Sequence, residues 1–364
     1  MTNDQRSPWL SGARQRRRLM RHAVLTLIAL LASAVSGPRA SAGTAGTAPL
    51  RLIRTVPMPG VQGDFDHFIV DLPHNRLFVT TEDHATLEVF DLHTGAHVGS
   101  IGGFGSPHSG IFLPGSNRLL VTDSDAGAVR VLDATSHKML KRIPAVPQAD
   151  AMAYDPREHL MYVTGGGDDA HLDYSLIGVI DTRREVKVGV VRIPSTNIES
   201  VTLSPGGQLL YVNIRDHHQI GVVDRRTLKL VKTWTLQTIR QNTPLILDER
   251  DQRLFVGGRG PGVFAALDAR DGHEIASLPA PEGVDDLSWN PQSGRIYFPC
   301  MDGHLAVFRQ VDADHYEALG TVPTGYRGKT GVLVPQLDRY FVAVSTHGGT
   351  PARLFVFEVL HGKG

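Results

Sequence analysis

Leu209-Leu210-Tyr211-Val212, followed across a turn by Val222-Val223-Asp224, is the stretch on which the fold turns. The first segment is apolar and β-prone, and the second is an apolar run that closes on an acid. The same pair recurs as Arg76-Leu77-Phe78-Val79 with Val89-Phe90-Asp91, and as Arg118-Leu119-Leu120-Val121 with Val131-Leu132-Asp133. It recurs again as Leu160-Met161-Tyr162-Val163 with Val179-Ile180-Asp181, and as Arg253-Leu254-Phe255-Val256 with Ala266-Leu267-Asp268. Arg295-Ile296-Tyr297-Phe298 and Arg339-Tyr340-Phe341-Val342 open two more copies, in which Arg309 and Glu358 stand where the acid would be.

An apolar strand precedes each copy, and a further strand such as Lys138-Met139-Leu140-Lys141-Arg142-Ile143 completes it. Four short strands divided by Gly, Asp, Asn or Pro turns make one propeller blade. A lone four-stranded sheet leaves both faces wet, so such units must stack around an axis to bury them. The expectation is therefore an all-β, seven-bladed β-propeller of four-stranded blades, filling residues 43–364 as one domain. The seventh unit lacks an outer strand before Gly364, whereas Leu50-Arg51-Leu52-Ile53-Arg54-Thr55-Val56-Pro57 reads like the outer strand of the second unit. The N-terminal strand is expected to complete the last blade and close the ring, removing an open edge.

Tyr162-Val163-Thr164 and Tyr211-Val212-Asn213, each inside a repeat unit, resemble the YVTN-type repeat, and residues 49–364 as a whole resemble the YncE-like family of exported bacterial propellers. The resemblance implies the fold. It says little of function, because proteins with this repeat include binding proteins and neighbouring propeller families include lactonases and lyases.

Residues 1–42 read as a cleaved signal peptide. Arg14, Arg16, Arg17, Arg18 and Arg21 form a basic head, the uncharged run Ala23–Val35 follows, and Pro38-Arg39-Ala40-Ser41-Ala42 is a small-residue cleavage pattern. The run is too short to span a bilayer, so no membrane span is expected after the signal is removed. Arg16-Arg17-Arg18-Leu19-Met20 also resembles a twin-arginine export string, and an ordinary secretory signal rich in arginine reads the same way. Either route gives a periplasmic or secreted protein. Without residues 1–42 the chain carries 30 basic and 36 acidic side chains, and that negative balance repels phosphate backbones, so nucleic acid is not an expected partner. The single cysteine, Cys300, excludes an internal disulfide.

In a propeller, the start of each innermost strand and the loop between the second and third strands share one face. Counting back from the Leu77-type position gives Asp66, His108, Asp150, Glu199, Thr243, Asp285 and Lys329 as equivalent positions, with His67 and Asp286 one step further in. Carboxylates and a histidine round one mouth form the ligand set of a divalent cation, Ca²⁺, Mg²⁺ or Zn²⁺, for which Asp66, His108, Asp150, Glu199 and Asp285 are the candidates. Paired carboxylates at such a place can also acquire displaced pKa values and serve as acid and base, and solvated charge at a channel mouth accounts for the same pattern. The second-to-third-strand loops carry Glu82, Arg215 and Arg259 as departures from the repeat, and the last blade's loop carries His347. Arg215 and Arg259 suit a carboxylate-bearing ligand, or else an acid on an adjacent blade. With Lys329, these residues are the candidate ligand-binding set. Asp83, Asp125, Asp216 and Asp302 repeat at one position and read as turn formers.

Gly165–Tyr174 lengthens one loop on the candidate face. No nucleophile elbow, phosphate-binding glycine loop, dinucleotide fingerprint or HExxH motif is present. Two readings follow, a module that binds a small molecule or protein at the mouth, and a metal-dependent hydrolase or lyase acting there on a lactone-like ring.

Overall fold

The computed structural model describes residues 48–361, so the signal expected over 1–42 lies outside the described residues. The repeat becomes seven four-stranded antiparallel sheets, and the architecture is a seven-bladed β-propeller. Blades 1 to 6 span residues 65–101, 107–144, 152–193, 198–235, 242–279 and 288–323. Blade 7 joins Thr330–Val334, Arg339–Val344 and Ala352–Val359 to the N-terminal strand Leu50–Met58. That strand runs antiparallel to Ala352–Val359, with Leu50 opposite Val359 and Met58 opposite Ala352, and the ring closes as the sequence predicts.

Middle strands read as unbroken apolar runs because both of their faces are covered. Arg76–Thr81 and Thr86–Asp91 are buried along nearly their whole lengths, and the outer strand Met139–Pro144 exposes most of its side chains. Seven apolar clusters fill the seven joints between blades. Ile69, Phe78 and Val89 of blade 1 meet Phe112, Leu119 and Val121 of blade 2. Phe255 and Phe264 of blade 5 meet Phe298 and Phe308 of blade 6, and Tyr297 of blade 6 stacks on Tyr340 of blade 7 with ring centroids 5.0 Å apart. Each fully buried Leu, Val or Phe contributes about 1.5–3 kcal/mol, so the joints carry the stability that no disulfide supplies. A Cβ on Gly110, on an innermost strand, would come 2.8 Å from the Leu120 carbonyl oxygen of the neighbouring strand and press into the Ile69 side chain of blade 1, so glycine suits the close packing there.

The innermost strands are irregular at one level. Pairing with the second strand slips between Phe65 and Phe68, Pro107 and Gly110, Ile198 and Val201, and Asn242 and Leu245. Each slip is a β-bulge, which bends the strand and re-aims the side chains on it. In blades 3 and 7 the innermost strand starts just beyond this level, at Met152 and Thr330. Among the described residues, no helix is long and apolar enough to cross a membrane.

Candidate functional site

The bulges set the mouth of the central channel. In a regular strand adjacent side chains point to opposite faces. At the slips, consecutive residues such as Asp66 and His67 both line the opening. The second-strand residue after the Val79-type position holds this shape. The Thr80 hydroxyl accepts the His67 N–H at 2.9 Å and donates to the His108 carbonyl of the next blade at 2.5 Å. Thr122 repeats the arrangement, accepting the Ser109 N–H at 2.8 Å and donating to the Asp150 carbonyl at 2.7 Å. In blade 4 the Asn213 amide donates to the Thr243 carbonyl at 2.7 Å. The threonine or asparagine of the repeat therefore ties each of these blades to the mouth residue of its neighbour.

Asp66, His67, Glu82, His108, Asp150, Glu199, Thr243, Arg259, Asp285 and Lys329 line one polar cavity of about 150 Å³. The charged groups form chains that cross from blade to blade. His108 Nδ1 lies 3.0 Å from Asp66 Oδ2 and 3.3 Å from Asp150 Oδ1, so one imidazole joins blades 1, 2 and 3. His67 lies 3.6 Å from Asp66 through Nε2 and 2.7 Å from Asp286 through Nδ1. Asp286 also accepts the Gly331 N–H at 3.1 Å. Lys329 Nζ sits 2.7 Å from Asp285 and 3.8 Å from Glu82, and Arg259 reaches Asp285 at 3.0 Å. Arg215 is spent on Glu199 of its own blade at 2.6 Å.

Pairing sets the protonation states. Burial raises the Asp66 carboxyl, but His67, His108 and Lys329 outweigh it and hold that group well below the ordinary range. Burial disfavours the His108 imidazolium, and its hydrogen bonds to Asp150 and Asp66 overcome this and push the ring up to about 12. His67 is likewise raised, by Asp66 and Asp286 against burial. Burial and the Asp66 charge push Glu82 up to about 7, with Lys329 pulling the other way. Burial and the Asp150 charge push Glu199 to about 7 as well, against Arg215. Two carboxyl groups that exchange protons near neutrality thus share a mouth whose histidines stay charged.

The chains leave one side of the ring open. Asp150 is the most exposed of the four first-strand acids, with 35% of its side chain accessible against 8% for Asp66, 18% for Glu199 and 9% for Asp285. Beside it stand Glu199 and the uncharged Thr243. Both arginines put forward for a carboxylate ligand are already paired with acids. His347 lies elsewhere: its backbone pairs with Thr350 and its ring meets Tyr326 with centroids 4.6 Å apart, and it does not line the mouth cavity.

Asp66, His108 and Asp150 offer ligand atoms within 4.8 Å of one another, which is the spacing of a cation site. Glu199 and Asp285 do not belong to that set. Of the turn-forming aspartates, Asp216 accepts the Thr196 N–H and Asp83 the Asp64 N–H. In the lengthened loop, Asp168 accepts the Thr196 hydroxyl, and Arg192 stacks 3.7 Å over Tyr174. Cys300 is buried, and that burial raises its thiol pKa, as suits a packing residue.

The position that the sequence leaves least visible is the one just after the Asp66-type residue, second in the bulge of blade 1 and its equivalent in blade 6. His67 and Asp286 join the channel's own cavity of about 240 Å³ with Ser109, Ser200 and Ser288 below the mouth. Alternation predicts that they face away, and only the Thr80-type residue that stabilises the bulge hints otherwise.

No family model matches the sequence, and no curated protein matches it either. Among solved structures, the chain is similar to one of Kuenenia stuttgartiensis hydrazine synthase, with TM-score 0.66 and 15% identity, over 82% of this chain and 98% of that one. It is also similar to a chain of a mitotic checkpoint complex, with TM-score 0.70 and 15% identity, over 93% of this chain and 99% of that one. What the chain shares with both is the seven-bladed β-propeller fold.

Proposed function

We propose that the protein is an exported recognition module of the YncE-like, YVTN-repeat kind, which takes a small polar ligand at the channel mouth. One observation carries the reading: all seven blades deliver charged groups to a single cavity, and the ion-pair chains break between Asp150, Glu199 and Thr243, where Asp150 is the most exposed acid. A ligand that brings a hydrogen-bond donor, an ammonium or a hydroxyl, completes the ring there. The arginines and Lys329 hold the acids in place and leave less capacity for an anion.

The test is a thermal-shift screen of amines and polyols, followed by calorimetry on the double variant Asp150→Asn, Glu199→Gln. Ligands found on the wild type should bind the variant at least about tenfold more weakly, since each lost bond to a charged partner is worth roughly 1.5–3 kcal/mol. Equal affinity for the variant would remove the mouth as the site. Export is tested separately, by N-terminal sequencing of periplasmic protein, which should begin at Gly43.

The grouping of Asp66, His108 and Asp150 favours a second reading, a metal-dependent hydrolase or lyase. Two carboxylates and an imidazole fit Zn²⁺ best among Ca²⁺, Mg²⁺ and Zn²⁺, and a bound ion would supply Lewis acidity. The ion would replace the proton that His108 shares with both aspartates, so occupancy should fall as pH falls. Glu82 and Glu199 would then exchange protons with substrate. Elemental analysis of protein purified without chelator decides this: stoichiometric metal lost in Asp66→Asn supports it, and no metal in the wild type removes it.

A further inference from the structure

The largest cavity among those described is not at the mouth. A groove of about 650 Å³ opens between blades 2 and 3. Its walls are the turn after the innermost strand of blade 2, Pro107–Leu113, the turn after that of blade 3, Met152–Asp155, and the turn that follows Ser175–Asp181. Turns of these kinds lie at the end of the blades opposite the mouth, so the groove is a separate place on the molecule.

The groove has an apolar wall and a charged rim. Leu113, Pro114, Pro156 and the ring of Tyr154 supply the apolar surface. The Tyr154 hydroxyl lies 3.2 Å from His159 Nδ1, which orients the imidazole and leaves its other nitrogen available. Arg118, Arg183 and Glu185 supply the charge. Glu185 is already matched twice, by Arg118 at 3.7 Å and by Lys141 at 3.4 Å. Among the described residues the Arg183 guanidinium has no ion-pair or hydrogen-bond partner, and the residue is exposed. Here the balance is the reverse of the mouth, where each of the lining cations already faces a carboxylate.

We propose that this groove binds a small organic anion, a carboxylate, sulfonate or phosphate ester on an aromatic body, with the ring system against Tyr154 and the prolines and the anionic group on Arg183. Its volume lies within the range of ordinary small-molecule sites, and an apolar wall with a few convergent polar groups is their usual make-up. A guanidinium at the rim of an apolar wall pairs with such anions in bidentate geometry.

The probe is anilinonaphthalene sulfonate, whose fluorescence rises on leaving water, with uncharged phenylnaphthylamine beside it. Wild-type protein should bind the sulfonate saturably at one site, and more tightly than the uncharged dye. Arg183→Glu should weaken the sulfonate about tenfold and leave the uncharged dye unchanged. Arg226→Glu is the control, since Arg226 holds the equivalent turn position in blade 4 and lines no cavity described. A third variant, Gly115→Trp, fills the groove: a Cβ at Gly115 meets nothing within 4 Å and the backbone there needs no positive φ. It should abolish binding of both dyes while the unfolding temperature holds. Absence of saturable binding, equal loss in Arg226→Glu, or unchanged sulfonate affinity in Arg183→Glu or Gly115→Trp would each overturn the proposal.

Discussion

At the scale of single residues, the mouth is set by carboxyl groups whose neighbours pull their charge in opposite directions. Glu199 has a folded pKa of about 7, raised from an ordinary glutamate value by burial and by Asp150. A group raised in the folded state stabilises the fold fully below its unfolded pKa, and that contribution is lost as pH rises through the folded value. Between about pH 4.5 and 7 the wild type should therefore lose up to ~3 kcal/mol through this one group. Glu199→Gln does not titrate, so its unfolding temperature relative to wild type should climb as pH goes from 5 to 8. A difference that stays flat over that range would show that Glu199 ionises normally. Asp66 behaves in the opposite sense: its depressed pKa adds stability above the unfolded value that vanishes in acid. Asp66→Asn should accordingly cost most near neutrality, and its cost should shrink steadily as pH falls below the ordinary aspartate value toward the depressed folded one, a trend that urea titrations at neutral and successively more acid pH measure directly.

At the scale of the element, the bulged innermost strand decides which side chains reach the channel. Thr122 is buried and bonds both to the bulge of its own blade and to the Asp150 carbonyl of the next. Thr122→Val keeps the shape, removes the hydroxyl, and leaves a buried N–H and a carbonyl without their partner. A loss of about 1–3 kcal/mol is expected in urea unfolding, against less than about 0.5 kcal/mol for Thr235→Val on an exposed outer strand. Equal costs would mean that the hydroxyl does not support the bulge. The sequence showed the repeat at this scale, because Arg76-Leu77-Phe78-Val79 and its copies carry the burial pattern in their composition. It did not show that Asp66 and His67 face the same way, since a bulge leaves the residue types of the strand unchanged and alters only their pairing. Nor did it show which acids Arg215 and Arg259 meet, because Arg215 reaches Glu199 across a strand pair of its own blade and Arg259 reaches Asp285 across a joint, and neither partner is set by spacing along the chain.

At the scale of the whole molecule, closure by Leu50–Met58 makes the propeller one cooperative body. Leu50, Val56 and Met58 are buried against the last blade, and Arg51 pairs with Glu358 beside them. Removing that strand exposes an unpaired edge on Ala352–Val359 and uncovers apolar surface at one joint. The truncated protein should unfold at lower temperature and aggregate, whereas supplying residues 48–58 as a peptide should partly restore its solubility; indifference to the truncation would contradict closure. The ring was legible because seven units and one detached strand leave a single economical arrangement. The mouth was legible only as a set of equivalent positions, which the ring converts into neighbours: Asp66, His108 and Asp150 stand 42 residues apart along the chain and within 4.8 Å at their ligand atoms. The groove on the opposite face was not legible at all, since it depends on how three turns from two blades diverge. The most direct test is a crystal structure of protein purified without chelator, inspected between Asp150, Glu199 and Thr243. Density for a bound molecule whose donor group touches Asp150 or Glu199 is the predicted result. Ordered water alone at that place, after soaking with the ligands from the thermal-shift screen, would contradict it.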